Sequence, residues 1–170
     1  RFGSIAWSLA AHYNRAEIRD IADTPAVLAA LNIPVFSRGS QNDLLYKAPR
    51  SRQVLNANWS LGGFNLNLRQ THYGAIERWG TPNPVPTSGP YAGQTEIAYS
   101  IGDTWLTDLE ASYRFDSGLR VALSANNVFD KRVIRFPDVL TPANMEYYYA
   151  TGGPIDASGG FWAATVEYRW

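Results

Sequence analysis

The chain has 170 residues, 45% of them hydrophobic, with 15 basic residues matched by 15 acidic ones and no cysteine. This length and composition suit one sizeable domain over residues 1–170 and exclude a disordered chain, a disulfide framework and a thiolate metal site. A net charge of zero leaves no basic field for nucleic acid, and no apolar run approaches the roughly 18 residues a transmembrane helix needs.

Residues 2–14 alternate, with Ile5, Trp7, Leu9, Ala11 and Tyr13 on odd positions and Ser4, Ala6, Ser8, Ala10, His12 and Asn14 on even ones. Period-two alternation marks a first strand. Residues 15–51 are different: Thr24-Pro25 opens an Ala/Leu run ending at Leu31, ahead of Asn32 and Pro34. A threonine cap with proline at the first helical position predicts a short helix inside a long loop. Residues 52–61 form a second strand with Leu55, Ala57, Trp59 and Leu61 on one parity. After Gly62-Gly63, a third strand over 64–73 carries Phe64, Leu66 and Leu68 on even positions.

Residues 74–103, with Pro82, Pro84, Pro86 and Pro90, read as a second long loop. The fourth strand sets Trp105, Thr107, Leu109, Ala111, Tyr113 and Phe115 against Leu106, Asp108, Glu110, Ser112 and Arg114. The fifth sets Leu119, Val121, Leu123 and Ala125 against Arg120, Ala122, Ser124 and Asn126. A third long loop over 131–159 holds Phe136, Asp138, Glu146 and Tyr147–Tyr149. The sixth strand, 160–170, puts Trp162, Ala164, Val166, Tyr168 and Trp170 on one face.

Turn length and parity agree. A two-residue Gly62-Gly63 hairpin makes Leu61 face Phe64, so the apolar set must move from odd to even positions, and it does. A three-residue turn at Asp116, Ser117 and Gly118 keeps odd opposite odd, with Gly118 in the left-handed position such a loop requires.

Alternation alone fits a soluble sandwich or a membrane barrel. Three features point to an antiparallel transmembrane β-barrel segment of six strands with three long external loops. Short turns alternate with long connections, as in outer-membrane barrels. Strands of about ten residues can cross a bilayer at a tilt. Aromatics also collect at both ends of the apolar face: Trp59, Phe64, Tyr113, Phe115, Tyr168 and Trp170 at the short-turn rim, Tyr13, Trp105, Phe129 and Trp162 at the other. The apolar face carries no charge, so Arg69, Asp108, Glu110, Arg114, Arg120 and Glu167 are expected to face the lumen. Asp108, Glu110, Arg114 and Arg120 are read as an ion-pair network there. Six strands fall short of the roughly eight of the smallest closed bacterial barrels, and a chain starting at Arg1 suggests a piece of a longer precursor.

Asn126-Asn127-Val128-Phe129-Asp130-Lys131 after an amphipathic strand resembles an element near the end of TonB-dependent outer-membrane receptors. Ala48-Pro49-Arg50-Ser51 leading into the second strand is similar to theirs, and Tyr168 with the terminal Trp170 resembles the C-terminal signal read by the outer-membrane assembly machinery. The family more often ends in Phe. The resemblance implies the last six strands of a 22-stranded barrel in the outer membrane of a Gram-negative bacterium. It also implies a transporter importing a bulky, scarce nutrient, such as an iron-siderophore complex or cobalamin, with energy relayed by TonB. The plug domain and TonB box that family function needs are not in this sequence, so this piece alone is not expected to transport.

Arg78, Trp79, Arg135, Tyr147, Tyr148 and Tyr149 lie in the long loops, where cations and ring faces could grip an anionic, aromatic ligand; the alternative is that they pack loop on loop. Asn126 and Asn127 are read as closing the strand and its loop. His12 and His72 fall on opposite faces, which argues against a shared metal site. The absence of a Gly-x-Ser-x-Gly elbow or a His-Glu-x-x-His helix argues against an enzyme, and no cofactor is expected. A passive porin-like channel and a soluble β-rich binding module are the competing functions.

Overall fold

The computed structural model describes residues 2–31, 33–132, 137–140, 155 and 158–170. Six strands form one antiparallel meander: β1 (Ser4–Tyr13), β2 (Ser51–Leu61), β3 (Phe64–Tyr73), β6 (Thr104–Arg114), β7 (Leu119–Asn126) and β8 (Phe161–Tyr168), each paired with the next in that order. The intervening β4 (Ile76–Gly80) and β5 (Ile97–Ile101) pair with each other. The sheet is open, with β1 and β8 at its edges.

Both tight turns take the geometry their lengths require. Leu61 faces Phe64, with Gly62 at φ 58°. At the other turn the Phe115 N–H donates to the Leu119 carbonyl at 2.8 Å, leaving Asp116, Ser117 and Gly118 as the loop, with Gly118 at φ 85°. The apolar residues therefore share one face across all six strands. A single rung of facing residues runs Trp7, Ala57, Leu68, Leu109, Ala125, Trp162. On β1 this rung has three residues on its short-turn side and six on the other. On β8 it has six and one. The strands are thus progressively displaced in one direction across the sheet.

The residues 74–103 are not wholly a loop, as their prolines suggest. The β4–β5 ladder keeps the register of β3–β6: the rung Tyr73–Thr104 is followed, after Gly74-Ala75 and Gly102-Asp103 are skipped, by Ile76–Ile101. The hairpin therefore continues past the sheet as an arm. Its ladder is interrupted where the Gly74 N–H turns to the Ser51 carbonyl at 2.9 Å, capping the neighbouring β2. Ile76, Ile97 and Ile101 of the arm are 1–3% exposed, with Tyr99 packed on Ile76 and Ile101.

In the first connection the expected helix is shorter than its sequence suggests. α1 (Ala26–Ala29) starts after Pro25, and no side chain caps it, so Thr24 is not its cap. A second helix, α2 (Arg38–Tyr46), was not legible in the sequence. Its N-cap Ser37 accepts the Ser40 N–H at 3.1 Å through Oγ. The helix carries Gly39 near its start and buries no residue, so no apolar stripe announces it.

Candidate functional site

The polar face of the sheet and the segments above it hold the chemistry-bearing side chains. On the polar face, register decides the partners. Arg120 on β7 stands directly opposite Glu167 on β8 and opposite Arg114 on β6. Its guanidinium turns from the like charge: Nη2 donates to Glu110 Oε1 at 2.7 Å and Nη1 to Glu167 Oε1 at 3.3 Å. One arginine so ties three strands together. Arg114 enters none of the ion pairs among the described residues, which corrects its place in the expected network.

Asp108 faces Arg69 across β6 and β3, yet the two do not pair. Arg69 Nε donates to Asn56 Oδ1 at 3.1 Å, while Asp108 Oδ1 accepts the Asn127 backbone N–H at 2.8 Å. Asp108 thus belongs to the turn after β7 rather than to the ion-pair network. Asn67, Arg69, Asp108, Glu110, Ser124 and Asn126 line a polar hollow of about 220 Å³ on this face. Carboxylates, amides and a guanidinium there can hydrogen-bond a polar surface; there is no paired nucleophile and base.

The turn after β7 is built from side chains. Asn127 and Asp130 both adopt φ 49°, a left-handed conformation that Asn and Asp tolerate better than most residues. Asp130 Oδ1 accepts the Gly160 N–H at 2.9 Å and Oδ2 accepts from Arg132 Nε at 3.3 Å. The Gly160 N–H first, and Arg132 second, hold the Asp130 carboxyl below its ordinary range. The stretch closes the strand as its sequence suggests.

Above the sheet, α2 packs against β4. Arg38 lies 4.6 Å over the Trp79 ring and 3.8 Å from Glu96. Arg78 Nε is 3.8 Å from Asp43 Oδ1, and Arg78 is largely buried. Burial pushes the Tyr99 phenol up, with the facing Arg78 pulling it back and Asp43 adding to the rise. Arg78 and Trp79 therefore join the arm to α2. Sequence reasoning missed Arg38, Asp43, Glu96 and Tyr99; the Ser37-x-x-Ser40 cap is the one local signal that could have found the helix bearing two of them. Arg135 and Tyr147–Tyr149 lie outside the described residues.

His12 faces Arg52 and His72 faces Gln53, on opposite faces of the sheet. His72 Nδ1 meets Gln53 Oε1 at 2.5 Å, and its ring lies 4.5 Å from that of Trp105. Among the described residues no group of three or more His, Cys, Asp or Glu side chains could hold a metal. Tyr168 is the last residue of β8, facing Leu119, and Trp170 beyond it is fully exposed. No family model matches the chain, and no curated protein matches it.

Proposed function

We propose that the six-stranded sheet is a stretch of transmembrane β-barrel wall, with its apolar face against lipid and its charged face toward a water-filled lumen. The observation that carries this reading is an apolar face with no layer over it: across β1, β2, β6, β7 and β8, Trp7, Leu55, Tyr113, Leu123 and Trp162 are 39–71% exposed. On the opposite face Arg120 pairs with both Glu110 and Glu167. A water-soluble sandwich would cover that face with a second layer; among the described residues none does. The one-directional displacement of strands along the sheet is what tilted barrel strands require. Edge pairing of Trp59 with Phe64 at 5.5 Å and of Tyr113 with Phe115 at 4.7 Å sets aromatic pairs at the short-turn rim, as a membrane interface favours.

Within this reading, the sequence resemblance supports an outer-membrane TonB-dependent receptor that imports a bulky nutrient such as an iron-siderophore complex or cobalamin. In such a barrel this chain supplies six strands of the wall and the segments that join them.

Tryptophan fluorescence tests the wall. Strong quenching by brominated lipid, reduced when Trp7 and Trp162 are replaced by Phe because Trp59 and Trp105 remain on the same face, is expected. A detergent-free soluble monomer whose emission ignores the quencher would overturn the reading. For the transport step, nutrient uptake by the intact receptor should stop when TonB is deleted; uptake that persists would leave a passive channel.

A further inference from the structure

We propose that the cleft between the segment after β1 and α2 receives the phosphate head group of an anionic membrane lipid whose chains run down the apolar face of β1. This rests on the membrane reading above. The cleft encloses about 490 Å³, and Tyr13, Arg15, Glu17, Ile21, Tyr46 and Arg50 are among its lining residues. Three observations converge on such a ligand.

The first is position. Tyr13 closes the apolar face at the top of β1 and is 70% exposed. The cleft therefore borders the end of that apolar face. A phenol ring at that boundary suits a site dry on one side and wet on the other.

The second is charge. Arg15 and Arg50 form none of the ion pairs among the described residues. The carboxylate on the lining is already taken, because Glu17 Oε1 accepts from Arg19 Nε at 2.7 Å. The guanidinium of Arg50 lies 5.1 Å from the Tyr46 ring, a contact through the π face that leaves its N–H donors for an anion. Because the whole chain is neutral, this surplus is local. It selects an anion over a zwitterion or a cation.

The third is how the fold brings the two arginines together. The Asn14 N–H donates to the Arg50 carbonyl at 2.8 Å. That bond extends the β1–β2 pairing one rung past Tyr13–Ser51; Arg15 follows it beyond the end of β1 and lines the same cleft as Arg50. Ile18, Ile21 and Leu45 supply apolar contact beside them. A free phosphate would use the arginines alone; only a lipid uses the apolar lining and the continuous face below.

The test uses the full-length protein in bilayers of phosphatidylcholine, with and without phosphatidylglycerol. Native mass spectrometry counts the lipids that remain bound on release. Wild type should retain phosphatidylglycerol in preference to phosphatidylcholine. Arg15→Gln/Arg50→Gln should bind it roughly 30-fold more weakly, while Arg15→Lys/Arg50→Lys keeps most of the preference. Tryptophan quenching by brominated lipid, measured on the same variants, reports insertion separately. Unchanged phosphatidylglycerol retention in the inserted double glutamine variant would overturn the lipid site and leave the barrel wall standing. Inorganic phosphate displacing the lipid at equal concentration would overturn it in favour of a soluble-anion site. Failure of the wild type to insert would overturn the wall and the lipid site together.

Discussion

Asn127 brackets the peptide of Lys131 from both sides: its Oδ1 accepts the Lys131 N–H at 2.9 Å and its Nδ2 donates to the Lys131 carbonyl at 2.7 Å. One amide side chain so replaces two backbone partners that the chain lacks after β7. Asn127→Ala removes both bonds and places a residue less tolerant of the left-handed region at φ 49°. We expect a loss of about 1–2 kcal/mol. Asn127→Gly, which keeps the backbone conformation but not the bonds, should lie between alanine and wild type. Urea midpoints of the lipid-refolded protein measure both; equal stability of all three would refute the bracket.

The carboxylate of Asp130 makes a pH-dependent contribution whose sign follows from its lowered pKa. Its unfolded value is near 3.8 and its folded value lies below that. The contribution is fully present above the unfolded value and is lost as pH falls through the folded one. Asp130→Asn should therefore be less stable than wild type at neutral pH, and the gap should close as pH drops below about 4. A gap independent of pH would show that charge has no part in it.

Gly118 and Gly62 both occupy positive φ, at 85° and 58°, but their surroundings differ. A Cβ at Gly118 would stand 2.2 Å from the Arg169 carbonyl oxygen, whereas one at Gly62 would meet nothing within 4 Å. Gly62→Ala should cost only backbone strain, about 1–2 kcal/mol. Gly118→Ala adds a clash with the segment after β8 and should also weaken the bond from the Arg169 N–H to the Gly118 carbonyl, 3.2 Å in the native turn. It should cost more than Gly62→Ala, with amide exchange rising at the C-terminal end of β8. Equal costs would mean that the end of β8 yields freely.

Arg120 joins β6, β7 and β8 through Glu110 and Glu167. It is 23% exposed and both glutamates 43%, so solvent screens the pairs. Arg120→Gln should destabilise by about 1 kcal/mol, and the effect should shrink as salt is raised. A double-mutant cycle with Glu110→Gln isolates that pair. A coupling energy of zero would show that Arg120 acts through packing alone.

The sequence by itself determined which residues share a face and how the tight turns run. Side-chain period two and hairpin geometry are local constraints, and the parity change across Gly62-Gly63 but not across Asp116–Gly118 satisfies both. It also marked Asn126 and Asn127 as the close of a strand. The tertiary structure alone decided what depends on partners distant in sequence. The β4–β5 arm consists of two five-residue strands flanking a proline-rich stretch, too short to stand out by periodicity; its register is inherited from β3 and β6 across the Gly74-Ala75 interruption. α2 has no apolar stripe and is held by contacts of Arg38 and Asp43 with β4. Charge partners were likewise undecided in the sequence. Parity placed Asp108, Glu110, Arg114 and Arg120 on one face, but strand register set Arg120 beside Glu110 and Glu167, and the position of the turn after β7 drew Asp108 to a backbone N–H.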